Sequence, residues 1–140
     1  MQVKIKKLHP DAVIPKYAKE GDAGMDLTAV AILEQTPYSI TYDTGLAFEI
    51  PEGFVGYIFP RSSIRKYGLL LSNSVGVVDS GYRGSVQATF KRTSHIDNYY
   101  SEGDRIAQII IMPTPYVEFI EVEELSETDR GTGGFGSTGS

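Results

Sequence analysis

The stretch 73–90 brings a carboxylate and a phenol close together in the sequence. Apolar residues stand on both sides of the Ser80-Gly81 pair, a pattern that predicts a β-hairpin with a two-residue turn. In that hairpin Asp79 and Tyr82 are directly opposed, so their side chains share one face with Cβ atoms roughly 5 Å apart. Gly84 follows on the same face, and the turn would then combine a base, a flat wall and exposed backbone. The alternative is an ordinary hairpin, because Asp often flanks turns and Tyr is frequent in strands.

A group of hydrogen-bond donors follows the predicted strand 54–59. Arg61, Ser62 and Ser63 lead into 62–68, the only segment with a helical pattern. Backbone N–H groups at a helix start favour anions, and an arginine adds a bidentate donor. These residues could hold a phosphate; alternatively, Ser62 is a plain helix cap beside a surface arginine.

Two further polar side chains border or interrupt predicted strands. Asp26 comes just before a strand and could orient a metal-bound water or a basic side chain. Gln108 places an amide within an otherwise apolar run, and a buried amide needs hydrogen-bond partners. Alternatively, Asp26 is an ordinary polar residue of a loop. Asp104 and Arg105, which precede Gln108, would then form a surface ion pair at the start of a hairpin.

The composition changes sharply near the C-terminus. Residues 121–129 are acidic and residues 130–140 are nearly half glycine, so we expect 1–129 to form a β domain and 130–140 a mobile arm. In such an arm, backbone N–H groups can converge on an anion, and an aromatic ring can stack on a flat base. The side chains suited to this are Arg130, Phe135, Ser137 and Thr138. A plain disordered tail is the alternative, whereas a P-loop is excluded because its GK[ST] ending is absent.

Together these pieces suit a nucleoside polyphosphate, and the elements that must position them are strands. Turn signals recur about every 8–12 residues, and no window shows convincing helical periodicity. The predicted fold is therefore all-β, with two packed sheets in a jelly-roll-like sandwich or barrel and one short helix. The predicted strands are 2–7, 27–33, 38–42, 46–50, 54–59, 69–71, 96–100, 106–112 and 116–122.

Composition argues against several classes of protein. With 140 residues the chain forms one domain, and its net charge of −5 without a basic run argues against nucleic-acid binding. No apolar run could span a membrane and the N-terminus does not resemble a signal peptide, so we expect no membrane partner and a cytoplasmic location. There is no cysteine, and His9 and His95 are the only histidines, both expected at the surface. Thiol chemistry, a zinc site and a histidine triad are therefore disfavoured.

Five motifs, in the order found here, resemble those of the trimeric deoxyuridine triphosphatases, the dUTPases. They are AGMDL (23–27), PRSS (60–63), NSVGVVDSGYRG (73–84), GDRIAQ (103–108) and RGTGGFGSTG (130–139). Pro60 stands where many members carry glycine, and Ser80-Gly81 where many carry another acid, and neither departure is expected to affect the chemistry. The resemblance implies a homotrimer of jelly-roll subunits with three shared sites. It also implies Mg²⁺-dependent hydrolysis of dUTP to dUMP and pyrophosphate, which limits uracil incorporation into DNA and supplies dUMP for dTMP synthesis.

The resemblance further implies roles for individual residues of the third motif. Asp79 would be the general base that positions the water attacking the α-phosphorus, and an aspartate is ionised at neutral pH and can accept that proton. Tyr82 would be the wall beneath the deoxyribose that leaves no room for a 2′-hydroxyl. The uracil edge would be read by Asn73 and by the backbone of Gly76, Val77, Val78 and Asp79, assisted by the backbone of Gln87.

Phosphate binding is implied for the other motifs. Arg61, Ser62, Ser63 and Gln108 would hold the phosphates from a neighbouring subunit. Asp26 would act indirectly, on Mg²⁺-bound water or on the arginine of the site, while the triphosphate holds most of the Mg²⁺. The arm would close over the γ-phosphate and stack on uracil, using Arg130, Phe135, Gly136, Ser137 and Thr138. Because the protein is acidic overall, Mg²⁺ and arginine must supply the local positive charge.

Two other functions belong to the same fold. The related deoxycytidine triphosphate deaminases require a glutamate within an Arg-Ala-Glu type segment, which this sequence lacks. A protein of this fold could also act as a nucleotide-gated module that binds another protein, instead of catalysis or in addition to it.

Overall fold

The computed structural model of the protein describes residues 1–94 and 98–139. A single short 3₁₀ helix, Ser62–Lys66, is present in these two ranges, and no helix there is long and apolar enough to cross a membrane. The strands are β1 (Lys4–Lys7), β2 (Met25–Thr28), β3 (Ala31–Gln35), β4 (Ser39–Asp43), β5 (Leu46–Glu49), β6 (Phe54–Phe59), β7 (Leu69–Leu71), β8 (Gly76–Val78), β9 (Gln87–Arg92) and β10 (Arg105–Pro113).

The strands form two four-stranded antiparallel sheets and one two-stranded sheet. One large sheet has the order β2-β10-β6-β8, the other has the order β3-β4-β9-β7, and β1 pairs with β5. Along β4, Ile40 and Tyr42 are fully buried while their neighbours are only partly so, the alternation expected of a strand with one face on the core. Both large sheets contribute to one apolar core, so they form a β-sandwich. The all-β prediction is confirmed.

Three aromatic rings fill the centre of the core. The ring centroid of Tyr42 lies 5.7 Å from that of Phe90 and 6.2 Å from that of Tyr100, both in edge-to-face arrangements. Such pairs add about 0.5–1.5 kcal/mol each to the stabilisation from burial. The Tyr42 hydroxyl donates to the Tyr100 carbonyl oxygen at 2.7 Å, which ties β4 to the segment before β10.

The predicted hairpin across Ser80 and Gly81 is wrong. β8 pairs with β6 in one sheet, whereas β9 pairs with β4 and β7 in the other. What remains is the turn itself, in which the Tyr82 N–H donates to the Asp79 carbonyl oxygen at 3.1 Å. Likewise, the predicted strand 27–33 is divided between β2 and β3, which belong to different sheets. Alternation indicates which side chains share a face but not which strand is the neighbour.

The predicted strand 116–122 is also wrong. These residues have no strand pairing, and the side chains of Tyr116 and Phe119 are 101% and 93% exposed. An alternating segment becomes a strand only where a neighbour accepts its backbone hydrogen bonds, and this single chain offers none there. Of the predicted strand 96–100, residues 96 and 97 lie outside the described residues, as does His95, while 98–100 are not in a strand.

Candidate active site

The turn 79–82 borders a cavity of about 290 Å³, here named the turn cavity. Its volume is near the lower end of the range for small-molecule sites, about 300–1,000 Å³. The cavity is lined by seven residues that the sequence predicts for the site, namely Asn73, Gly76, Val77, Val78, Asp79, Tyr82 and Gln87. Ile58, Ser85 and Val86 complete the lining. The structure therefore brings together all residues predicted to act as base, sugar wall and uracil reader.

The ring of Tyr82 is held on the cavity wall by two local contacts. Its hydroxyl donates to the Ser85 carbonyl oxygen at 3.0 Å. The ring also covers Gly84, where a Cβ would lie 2.6 Å from the Tyr82 Cζ. Only a residue without a side chain leaves that space, so Gly84 is required for the position of the ring. Asp79, at the other end of the turn, lines the same cavity, so the predicted base and the predicted wall face one space.

A tight loop before β8 presents Asn73 to the cavity. Ser74 has a φ of 61°, in the left-handed region that residues other than glycine rarely adopt. The Val75 N–H donates to the Asn73 carbonyl oxygen at 2.6 Å, which closes the loop. Strained backbone of this kind clusters at functional sites. Sequence reasoning missed Ser74, because nothing about a serine in a polar loop signals a positive φ.

A second group of polar residues, here named the arginine cluster, consists of Asp26, Arg61, Ser63, Arg105 and Gln108. The Arg61 Nε donates to Asp26 Oδ1 at 2.7 Å, and its Nη1 donates to Ser63 Oγ at 3.0 Å and to the Arg105 carbonyl oxygen at 3.3 Å. Arg105 Nη1 donates to Asp26 Oδ2 at 3.2 Å. One carboxylate thus lies between two guanidinium groups, and the cluster keeps a net positive charge suited to an anion.

Strand pairing explains how these distant residues meet. Gln108 of β10 is paired with Asp26 of β2 on one side and with Phe59 of β6 on the other. Its amide nitrogen donates to the Pro60 carbonyl oxygen at 3.0 Å, which satisfies the donor of a partly buried amide. A Cβ at Gly24 would lie 3.2 Å from the Gln108 Cδ, so this glycine leaves the space that the amide occupies.

The structure differs from two sequence-based expectations for this region. Arg105 pairs with Asp26 rather than with Asp104, whose carboxylate instead accepts the Ser101 N–H at 2.7 Å. The 3₁₀ helix starts at Ser62, but Arg61 occupies the N-cap position and no side chain caps the helix. Ser62 is exposed at the helix start. Arg105 lies in the fourth motif and could have been recognised as a site residue from its position two residues after a glycine turn.

Tyr100 lies beneath the arginine cluster. Its hydroxyl is buried and makes no hydrogen bond of regular geometry with the described residues. Burial raises the pKa of Tyr100, while the nearby Ser63 hydroxyl and the Arg61 guanidinium act in the opposite direction. The phenol is therefore neutral at physiological pH and faces the polar groups of the cluster from the core side.

The arm is separate from both groups. The side chains of Phe135 and Arg130 are exposed, and the Arg130 Nε donates to the Gly133 carbonyl oxygen at 2.8 Å within the arm itself. Gly136, Ser137 and Thr138 lie in the same series of turns. The described residues of one chain therefore carry three groups of predicted site residues, namely the turn cavity, the arginine cluster and the arm.

The fold and these groups define a class of protein, an antiparallel β-sandwich with an acid-bearing cavity, a cluster of net positive charge and a glycine-rich arm. Comparison with known proteins gives the family. The dUTPase family matches residues 10–139. The chain is 42% identical over 142 residues to the deoxyuridine 5′-triphosphate nucleotidohydrolase of Thermobifida fusca, covering 99% of this chain and 79% of that protein. This chain belongs to the dUTPase family.

Further similarity supports the assignment. The deoxyuridine 5′-triphosphate nucleotidohydrolase of Helicobacter pylori strain P12 is 41% identical over 141 residues, covering 99% of this chain and 97% of that protein. Among solved structures, the dUTPase of Staphylococcus bacteriophage 80alpha with dUPNHPP superimposes with a TM-score of 0.86 at 27% identity, covering 99% of each chain.

Proposed function

We propose that this protein hydrolyses dUTP to dUMP and pyrophosphate, with water attacking the α-phosphorus. The observation that carries the proposal is the turn cavity, in which Asp79, Tyr82, Asn73 and the backbone of β8 meet. Family membership and relatives that bear the name deoxyuridine 5′-triphosphate nucleotidohydrolase support it. Such an enzyme limits uracil incorporation into DNA and supplies dUMP for dTMP synthesis, and its nucleotide substrate implies a cytoplasmic location.

Within the turn cavity, Asp79 acts as the general base. Its side chain is exposed to the cavity, where it can accept a proton from a water molecule as that water attacks phosphorus. Tyr82 forms the wall beneath the sugar, and its ring cannot retreat because the hydroxyl is bonded to Ser85 and the ring is seated on Gly84. A ribose would place its 2′-hydroxyl against this ring, so deoxyribose is preferred.

Asn73 and the backbone from Gly76 to Val78 read the uracil edge, with the backbone of Gln87 assisting. The backbone of Gly76 packs closely against Ile58 of β6, since a Cβ added at Gly76 would lie 3.0 Å from the Ile58 Cβ. Backbone held by pairing with β6 is a rigid set of donors and acceptors. A rigid, tight edge of this kind accepts uracil and excludes the methyl group of thymine.

The arginine cluster binds phosphates. Arg61, Ser63 and Gln108 of the cluster provide the donors together with the adjacent exposed Ser62, and Asp26 holds the Arg61 guanidinium in place. The role of Asp26 toward Mg²⁺-bound water stays a prediction, because both of its carboxylate oxygens accept from arginines here. No three His, Cys, Asp or Glu side chains among residues 1–94 and 98–139 are arranged to hold a metal, so the fitting donors for Mg²⁺ are the phosphates themselves. When bound, the ion would offset phosphate charge.

A homotrimer with shared sites is part of the proposal. None of the arginine-cluster residues lines the turn cavity of the same chain, which suits a site completed by a neighbouring subunit. The segment 116–125, here named the exposed apolar segment, leaves Tyr116, Phe119, Ile120 and Leu125 at least 80% exposed. Large apolar side chains exposed together in this way, although glutamates lie between them, favour a protein contact.

The arm closes over the bound triphosphate. Arg130, Gly136, Ser137 and Thr138 would contact the γ-phosphate, and Phe135 would stack on uracil. The left-handed φ angles of 53° at Gly131 and 82° at Gly136 belong to turns that glycine permits and that other residues would resist. Closure of such a lid excludes water and completes the site.

The test is pyrophosphate release from dUTP with Mg²⁺, with dCTP, dTTP and UTP in parallel. We expect release from dUTP alone, and expect Asp79→Asn to bind dUTP but lose most turnover. Near-normal turnover in Asp79→Asn would remove the base assignment, and ammonia release from dCTP would indicate a deaminase instead.

A second candidate function rests on the structural neighbour. Phage dUTPases such as that of phage 80alpha control transfer of virulence genes by a proto-oncogenic G protein-like mechanism. A nucleotide-gated regulatory role is therefore the alternative, and dUTP binding without pyrophosphate release from a folded trimer would favour it.

A further inference from the structure

Arg83 follows the turn 79–82 directly but is not part of the cavity lining. Its Nη1 atom lies 2.6 Å from the Ser80 carbonyl oxygen and 3.2 Å from the Tyr82 carbonyl oxygen. Two carbonyls of the turn therefore share one charged donor. Hydrogen bonds from a charged group are shorter and stronger than those between neutral groups.

The same guanidinium is anchored to another part of the fold. Its Nη1 lies 3.5 Å from the Phe48 carbonyl oxygen, and its Nη2 lies 3.7 Å from Glu49 Oε1. Glu49 Oε2 in turn contacts Lys4 Nζ at 2.8 Å. Lys4 lowers the pKa of Glu49 most and Arg83 lowers it further, so the carboxylate is ionised at neutral pH. The series Lys4, Glu49 and Arg83 connects the two-stranded sheet β1–β5 to the turn.

The turn needs such an anchor because the expected hairpin is absent. Residues 79–85 lie outside the strands, so no ladder of hydrogen bonds fixes them. Backbone closure depends on the bond from the Tyr82 N–H to the Asp79 carbonyl oxygen. One backbone hydrogen bond constrains the peptide planes beside Ser80 less than a strand ladder would, and a change in their orientation would turn the Asp79 side chain and shift Tyr82.

We propose that Arg83 is a positioning residue that orients Asp79 and Tyr82 from behind the turn, and thereby sets turnover and the preference for deoxyribose without touching substrate. The proposal rests on the roles proposed for Asp79 and Tyr82. The Arg83 guanidinium acts through geometry as well as charge. It is planar and reaches the two turn carbonyls, the Phe48 carbonyl and the Glu49 carboxylate together, whereas an ammonium is a point charge.

The experiment compares Arg83→Gln and Arg83→Lys with the parent protein, using full-length protein and steady-state kinetics on dUTP and UTP. For Arg83→Gln we expect kcat for dUTP and the dUTP-to-UTP ratio of kcat/KM each to fall about tenfold, since small displacements of reacting groups have large effects on rate. The KM for dUTP should change less than about twofold, because uniform binding by the arginine cluster is retained. Arg83→Lys should restore part of both losses.

Arg92→Gln is the matched control. Arg92 Nη1 also donates to a turn carbonyl, that of Thr36, at 3.2 Å. It lies five residues along β9 from Gln87, which lines the turn cavity, and at about 3.3 Å per residue this is roughly 17 Å away. We expect the control to keep the parent kcat and selectivity.

Two results would overturn the inference, namely parent-like kcat and selectivity in Arg83→Gln, or equal losses in Arg92→Gln. If Arg83→Gln does not fold, Arg83→Lys decides by the same two readouts. Asp79→Asn, measured in parallel, distinguishes failure of this inference from failure of the proposed function. If Asp79→Asn is inactive but Arg83→Gln has parent-like kcat and selectivity, only the inference about Arg83 fails. If Asp79→Asn is active, both the proposed base and the inference about Arg83 fail.

Discussion

The ring of Tyr82 lies over Gly84, where a methyl group would come within 2.6 Å of the tyrosine Cζ. Gly84→Ala should therefore displace the ring from its present position on the wall of the turn cavity. We expect the preference for dUTP over UTP, measured as the ratio of kcat/KM values, to fall about tenfold, equivalent to about 1.4 kcal/mol. Gly81→Ala is the control in the same turn, because a Cβ there meets nothing within 4 Å. An unchanged ratio in Gly84→Ala would mean that Tyr82 is not the sugar wall.

Asp26 holds the Arg61 guanidinium in a partly buried ion pair, with the two side chains 27% and 22% exposed. Asp26→Asn should leave the arginine less constrained and weaken phosphate binding, so we expect KM for dUTP to rise about tenfold. Loss of the pair should lower the free energy of unfolding by about 1 kcal/mol. Asp22→Asn is the matched control, since the Asp22 carboxylate accepts the Lys19 N–H in an exposed loop. A normal KM in Asp26→Asn would exclude the positioning role.

Deletion of 130–140 tests the arm. The arm is exposed and its backbone hydrogen bonds are local, such as that from the Gly133 N–H to the Arg130 carbonyl oxygen at 3.0 Å. We therefore expect an unchanged melting temperature, together with a loss of turnover of about a hundredfold, because the lid no longer completes the site. Calorimetry and pyrophosphate release measure the two effects, and full activity of the truncated protein would remove the arm from the mechanism.

The exposed apolar segment tests the trimer. Phe119 and Ile120 are 93% and 80% exposed in the single chain. If a neighbouring subunit covers them, the double variant Phe119→Ser/Ile120→Ser should show a lower mass by light scattering and lose activity with it. Tyr38→Ser, at a residue 75% exposed on another part of the surface, should keep the parent mass. An unchanged mass in the double variant would place the contact elsewhere.

The buried phenol of Tyr100 should make the free energy of unfolding depend on pH in the alkaline range. Burial raises the pKa of its phenol in the folded state, so the folded state retains this proton to higher pH than the unfolded chain. Its contribution to stability is full below the unfolded pKa of about 10 and is lost as the pH rises through the higher folded pKa. Tyr100→Phe should thus lose less stability between about pH 10 and 12 in urea unfolding curves. An identical pH dependence in both proteins would contradict this.

Much of the site could be predicted from the sequence because its parts are local. Asp79, Tyr82 and Gly84 lie within six residues, and their relative positions follow from one turn and its short neighbourhood. The strand character of most segments was also predictable, since alternation with a period of two requires only that one face is buried. The five motifs, in their order along the chain, resemble those of the dUTPases, and that resemblance indicated the family.

Tertiary structure alone decided which elements are neighbours. Asp26 meets Arg61 across 35 positions and Arg105 across 79, distances along the chain that no local pattern can specify. The placement of β8 and β9 in different sheets left the turn without a hairpin ladder, and so gave Arg83 a position behind it. The physical reason is that alternation determines the face of each strand, whereas its partner is chosen by the burial and hydrogen bonding of the whole chain.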